Sequence, residues 1–342
     1  MNLIPRIVAI ETWNQELTQM IETKSAEMED IIVRQFYFDK WSLPNFNMAS
    51  LQDICDMLSS SFLSYYAKKC THNIDNKSKK RETIVLILDE NDLFANIMRV
   101  MAIFLSGNCC KLHTTYQQYP LFYFLVKKMI EISPLFQENI HFSDFYSPFD
   151  RLIYTEKTSN FNYFSSYFKK YKTFLLSNKK SSVVITGKES EEEIEVLFDL
   201  LFRYFGNSVG GATLLYVPDN FDFQKLIFIF NHLAEDIASH HLYLNHLSYQ
   251  KTIHLVNKVD YIDGGVILFI ESKEKNTPCG IIHYQYYSSF AQLQEQLSSN
   301  ERLFLFSQED ISLPHYLFNE KKSIIRKEFE EITQFLIEQN EL

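Results

Sequence analysis

From Ile84 onward, short apolar runs of strand length alternate with stretches whose apolar residues recur at helical spacing, and this alternation leaves few folds open. Ile84–Leu88 (IVLIL) is apolar on both faces, as a strand buried in a parallel sheet must be. Asn91–Leu105 carries Leu93, Ile97, Val100, Met101 and Phe104 at helical intervals, and Gly107 stops it. The pattern then predicts a strand at Cys109–Leu112, a helix at Leu121–Ile132 ending before Pro134, strands at Ile140–Phe142 and Arg151–Tyr154, and a helix at Phe161–Tyr171. Such β-α-β-α order builds a wound, mostly parallel sheet with helices on both faces.

A second series starts with the strand Ser182–Thr186 (SVVIT). Ser190 and Glu193 stand at capping-box spacing, and the acids Glu191 to Glu193 then lie where a helix dipole favours anions. That helix is predicted to run to Phe205. A turn with Gly206, Gly210 and Gly211 follows, then a strand at Leu214–Val217 closed by Pro218. Glycine crowded into one turn permits left-handed backbone or close ligand approach. Helices at Phe223–Ala238 and Tyr249–Asn257, strands at Val266–Ile270 and Gly280–Tyr286, and a helix at Ser289–Leu297 complete the series. The segment before Ile84 is mainly helical (Met48–Tyr66), and Ile324–Gln339 predicts a surface helix. The expected architecture is α/β with two wound lobes: residues 1–180 with a helical N-terminal segment, 181–306, and a helical tail at 307–342. A length of 342 residues suits two domains.

Charge and cysteine usage narrow the function classes. A net charge of −10 argues against nucleic-acid binding, and the basic run Lys77-Ser78-Lys79-Lys80-Arg81 reads as a solvated loop. No apolar segment approaches the ~20 residues that span a bilayer. The opening MNLIPRIVAIETWNQE lacks signal-peptide character, and Cys55, Cys70, Cys109, Cys110 and Cys279 form no disulfide framework. A cytoplasmic location with reduced thiols is expected. His240, His241 and His246 cluster, but 241 and 246 do not share a helical face, so no metal site is expected. Cys109 and Cys110 point to opposite faces of a strand and make a poor redox pair.

The segments YFSSYFKKY, NKKSSVVITGKESEEEIEVL and LFRYFGNSVGGATLLYVP, between Tyr163 and Pro218, resemble the LuxC-type acyl-CoA reductase family of the aldehyde dehydrogenase superfamily, in particular its Bacteroidetes-like branch. The likeness continues through NHLSYQKTIHLVN, DGGVILFIES and TPCGIIHYQYYSSFAQL, and on the N-terminal side through Asp39-Lys40-Trp41 and FLSGNCCKLHT. The resemblance implies reduction of an acyl thioester to an aldehyde with NADPH, through attack by a cysteine thiolate. In this branch the cysteine stands in an F-G-L-G-C-R-N-V turn. Laid against Phe205 to Ala212, the nucleophile position falls on Val209, which has no nucleophilic atom.

Other departures fall where the family's dinucleotide would lie. The glycine-serine turn expected after Leu152–Tyr154 reads Thr155-Glu156-Lys157, placing a carboxylate where a phosphate should approach. The turn after the first strand reads Glu90-Asn91-Asp92-Leu93, with two further acids, and the family's tail motif is not recognisable in Leu313–Leu342. Glu271 matches the glutamate used near the nicotinamide ribose, so Glu271 and Thr155 are the cofactor-side candidates. The expectation is a non-catalytic homologue that binds no cofactor. It would act as a binding or scaffolding subunit for an active reductase, an acyl carrier protein or another biosynthetic enzyme, as a dimer or hetero-oligomer. Two alternatives stay open: acyl transfer or hydrolysis with Ser208 as nucleophile and one of the histidines as base, or a retained NADPH-dependent reductase that recruits Cys279.

Overall fold

A computed structural model describes residues 3–74, 81–88, 92–112, 119–142, 148–155, 166, 168–176, 180–297, 302–305, 316–317 and 322–337. The chain divides into two units, Met1–Asn178 with Ile325–Leu342, and Lys179–Ile324.

The first unit opens with four helices, α1 (Leu3–Glu22), α2 (Ala26–Phe38), α3 (Pro44–Met57) and α4 (Ser60–Ile74). Strands β1 (Thr83–Leu86), β2 (Cys109–Leu112), β3 (Ile140–Phe142), β4 (Arg151–Thr155) and β5 (Lys172–Leu176) follow, with α5 (Leu93–Leu105), α6 (Pro120–Ile132) and α7 (Pro134–Asn139) between them. The strands are all parallel in the order β3-β2-β1-β4-β5, so the winding reverses between β1 and β4. Helix α5 is buried along its whole length, which accounts for its near-continuous apolar sequence. It ends before Gly107, whose φ of 84° is the left-handed geometry that marks a helix stop.

Two features of this unit depart from the sequence pattern. Strand β5 was not foreseen, because a half-exposed edge strand of five residues carries only a weak alternation. The expected helix at Phe161–Tyr171 falls mostly outside the described residues. The terminal helix forms as expected, with one face buried and Lys327, Glu331 and Gln334 exposed on the other. In α13 (Lys322–Ile337), Ile325, Phe329, Ile332 and Leu336 are buried, and Phe329 packs edge-on against Phe62 and Tyr66 of α4. Glu328 faces Arg99 of α5 at 2.7 Å, and Arg151 donates to the Phe335 carbonyl at 2.6 Å, placing a cation at the helix's negative end. From Ile325 the chain thus belongs to the first unit rather than to a separate tail.

The second unit contains β6 (Ser181–Val184), α8 (Glu191–Phe202), a 3-10 turn (Arg203–Gly206), β7 (Ala212–Pro218), α9 (Gln224–Leu233), α10 (Glu235–Ala238) and α11 (His241–Asn257). Strands β8 (Ile262–Asp263), β9 (Leu268–Glu271) and β10 (Ile281–Tyr287), helix α12 (Phe290–Gln296), and strands β11 (Arg302–Leu305) and β12 (Tyr316–Leu317) complete it. The sheet order is β12-β11-β6-β7-β10-β9-β8, parallel except for β8 against β9. The capping box forms as the spacing requires: Ser190 Oγ accepts from Glu193 N–H, and the Glu193 carboxylate accepts from Ser190 N–H at 2.8 Å. Three helix limits differ from expectation. α8 stops at Phe202 rather than Phe205, the predicted helix Phe223–Ala238 breaks at Ala234, and α11 begins at His241 rather than Tyr249.

Candidate functional site

The segment between α8 and β7 is where the resemblance puts the family's nucleophile position, and its backbone is unusual. Tyr204 and Phe205 both adopt left-handed φ, 50° and 54°. Such geometry costs a non-glycine residue about 1–3 kcal/mol. The cost is offset by packing: both side chains are buried, and the Phe205 ring lies 4.9 Å from that of Tyr243 and 5.3 Å from that of His240. This strain is why α8 ends early. Gly206 and Gly210 continue in left-handed conformations, and the Gly206 carbonyl accepts from Lys180 Nζ. The turn closes on itself through Gly211 N–H to the Ser208 carbonyl at 3.0 Å, and Ser181 N–H to the Gly211 carbonyl at 3.1 Å ties it to β6. Val209 sits half-buried inside this turn, three residues before β7.

Gly206-Asn207-Ser208-Val209-Gly210 spells G-x-S-x-G, a serine-nucleophile string. Its structural setting is the reverse of a nucleophile elbow. An elbow runs from strand to helix with strain at the serine, whereas here a helix leads into a strand and the strained residues are Tyr204 and Phe205.

Of the clustered histidines, His240 is engaged in a helix cap: at the start of α11 its Nδ1 accepts from Tyr243 N–H at 3.1 Å. A neutral imidazole with that lone pair in use carries its proton on Nε2 and cannot accept another there. His241 is exposed, and His246 Nε2 lies 3.5 Å from Gln250 Nε2. Among the described residues no three His, Cys, Asp or Glu side chains group as metal ligands.

Cys279 lies in a recess of about 40 Å³, room for a few waters, that Lys180, Asn207, Thr213 and Tyr243 also line. Gly280 makes this possible: a Cβ there would stand 3.0 Å from Leu247 Cδ1 and 3.2 Å from Tyr243 Oη. Burial pushes the Cys279 thiol up to about 12, outweighing the opposite pull of Lys180. Burial, with Cys279 as a lesser cause, also raises the Tyr243 phenol, which donates to the Val266 carbonyl at 2.5 Å. At pH 8 a thiol of that kind is about one part in ten thousand thiolate. Alkylation of Cys279 in the native protein is therefore expected to be negligible at pH 8 and to appear on unfolding, as peptide mass mapping would read. The linkage has one sign. Between 9, the thiol's ordinary value, and about 12 only the unfolded chain gives up this proton, so Cys279 contributes a loss of stability as pH rises through that window.

The cofactor-side candidates belong to different units. Glu271 is exposed at the end of β9, opposite Tyr284 of β10. Burial chiefly, then Tyr286 and Glu271, raise the Tyr284 phenol to about 12. Thr155 ends β4 opposite Leu176, and Glu90 and Glu156 lie outside the described residues.

Ligands of wound sheets bind beyond the carboxyl ends of the strands where the winding reverses, here β1 and β4. The helix that follows β1 has one of its N-terminal amides served by a carboxylate: Asp92 Oδ1 accepts from Ala95 N–H at 2.9 Å, and Asp92 is buried. A phosphate at that helix end would meet the Asp92 carboxylate.

No family model and no curated protein matches the chain by sequence. Solved structures do match. Aldehyde dehydrogenase 21 from Physcomitrella patens, in complex with the product succinate, superposes with a TM-score of 0.64 at 12% identity, over 93% of this chain and 78% of that one. Betaine aldehyde dehydrogenase from Staphylococcus aureus gives 0.63 at 9% identity, over 93% and 75%. An NADP-dependent glyceraldehyde-3-phosphate dehydrogenase from Bacillus halodurans, complexed with NADP, gives 0.61 at 10% identity, over 93% and 79%. Identities this low speak to fold alone. The chain has an aldehyde dehydrogenase-like fold of two α/β units.

Proposed function

We propose that this protein is a non-catalytic relative of the acyl-CoA reductases, working in the cytoplasm as a binding or scaffolding subunit beside an acyl-processing partner. The observation that carries the reading is Val209. It lies in the turn before β7, which the resemblance aligns with the family's cysteine turn, and an isopropyl group cannot attack a thioester. The described substitutes fare no better. Cys279 is held as the neutral thiol by burial, and Ser208 stands in a helix-to-strand turn with His240 committed to a helix cap. The Asp92 carboxylate at the start of α5 supports the expectation that NADPH is not bound. None of the described helices is long and apolar enough to cross a membrane.

Incubation with a long-chain acyl-CoA, followed by intact mass measurement, tests the first chemical step. No acyl adduct is expected on the native chain. A stable adduct mapped to Ser208 or Cys279 would overturn the reading in favour of altered or retained thioester chemistry.

A further inference from the structure

At the carboxyl ends of β9 and β10 an exposed carboxylate stands against a row of rings. Glu271 closes β9, and the parallel register sets it beside Tyr284 of β10 on the same face of the sheet. Tyr286, two residues on, shares that face, and its ring meets that of Tyr284 at 81° with centroids 5.3 Å apart. Behind them Phe223 lies 4.8 Å from Tyr284 and 5.0 Å from Phe269. Phe223, Phe269 and Tyr284 are buried and held by this packing, while Tyr286 is half-buried and Glu271 exposed.

Charge decides what such a corner can hold. Among the described residues no hydrogen bond or ion pair engages the Glu271 carboxylate, although Lys273 is only two residues away in the chain. The carboxylate acts on the rings all the same: after burial and Tyr286, it helps to hold the Tyr284 phenol above its ordinary value. Carboxylate and ring faces are both negative, so an anion is repelled and a cation attracted. One carboxylate with two phenols is a poor metal set, and no three His, Cys, Asp or Glu side chains group among the described residues. A planar guanidinium stacks on one ring, whereas a compact ammonium can touch two perpendicular rings at once. Rings already fixed by packing lose little freedom when it binds.

We propose that Glu271, Tyr284 and Tyr286 form a binding site for the ammonium group of a small alkylamine, with the carboxylate as counter-ion and the two rings as its walls. The site stands whether or not the chain retains any chemistry.

Saturation-transfer difference NMR of the full chain with n-butylammonium chloride, at constant ionic strength, tests it. Saturable binding in the millimolar range is expected. Glu271→Gln and Tyr286→Leu should each weaken it by about fivefold or more, and Glu271→Gln, at an exposed position, should leave the circular dichroism melt unchanged. Tyr286→Phe, which keeps the ring, should bind as the native chain does. No saturable binding to the native chain, binding indifferent to Glu271→Gln, or equal loss in Tyr286→Phe and Tyr286→Leu would each overturn the proposal.

Discussion

Glu328→Ala is expected to destabilise the first unit by about 3–5 kcal/mol, because it strands a buried guanidinium. Arg99 is 2% exposed, and both guanidinium ends meet Glu328, Nε to Oε1 at 2.7 Å and NH2 to Oε2 at 3.4 Å, while NH1 donates to Asn96. Alanine removes the counter-charge without removing the charge. The pair joins positions 99 and 328, far apart in sequence, so its loss also loosens α13 from α4 and α5. Urea unfolding followed by circular dichroism would show the lowered midpoint. The double variant Arg99→Met with Glu328→Leu, which removes both charges, should recover most of the loss. A single variant as stable as the native chain would mean that this pair does not hold the terminal helix.

Gly211→Ala should be the most damaging small change in the turn before β7. An added Cβ would lie 2.9 Å from the Gly206 carbonyl oxygen and 3.1 Å from that of Ser208. Both obstacles are backbone, so relief means opening a turn held by the Gly211–Ser208 and Ser181–Gly211 hydrogen bonds. The expected cost is about 3 kcal/mol, the upper end for overpacking. Val209→Ala, at a half-buried position in the same turn, should cost about 1 kcal/mol or less. Equal stability of the two variants in chemical denaturation would show that the turn is loose rather than tightly closed.

The parts of the fold legible in the sequence were those whose burial wrote a strong period. Helix α5 and strands β1 and β4 lie close to their predicted limits because their residues are buried almost without interruption, and β2 because its burial alternates. The Ser190–Glu193 box was legible because capping is local chemistry. Edge strands β5 and β8 were not, since a short half-exposed strand leaves little pattern. The end of α8 was not either: Tyr204 and Phe205 suit a helix by type, and only packing against Tyr243 and His240 turns them left-handed. The apolar spacing of Ile325, Phe329, Ile332 and Leu336 was visible, yet what Phe329 packs against lies more than 200 residues away in the chain. At the site, the glycine turn and Val209 could be read directly. The string G-x-S-x-G was equally readable, but only the order helix-then-strand deprives it of its usual meaning.

The central claim is that the site lacks both its nucleophile and its dinucleotide cradle. Titrating NADPH into the purified chain to millimolar concentration, with and without a long-chain acyl-CoA, measures both at once through nicotinamide fluorescence and aldehyde release. The account predicts no saturable binding and no aldehyde. Saturable binding accompanied by aldehyde formation would contradict it.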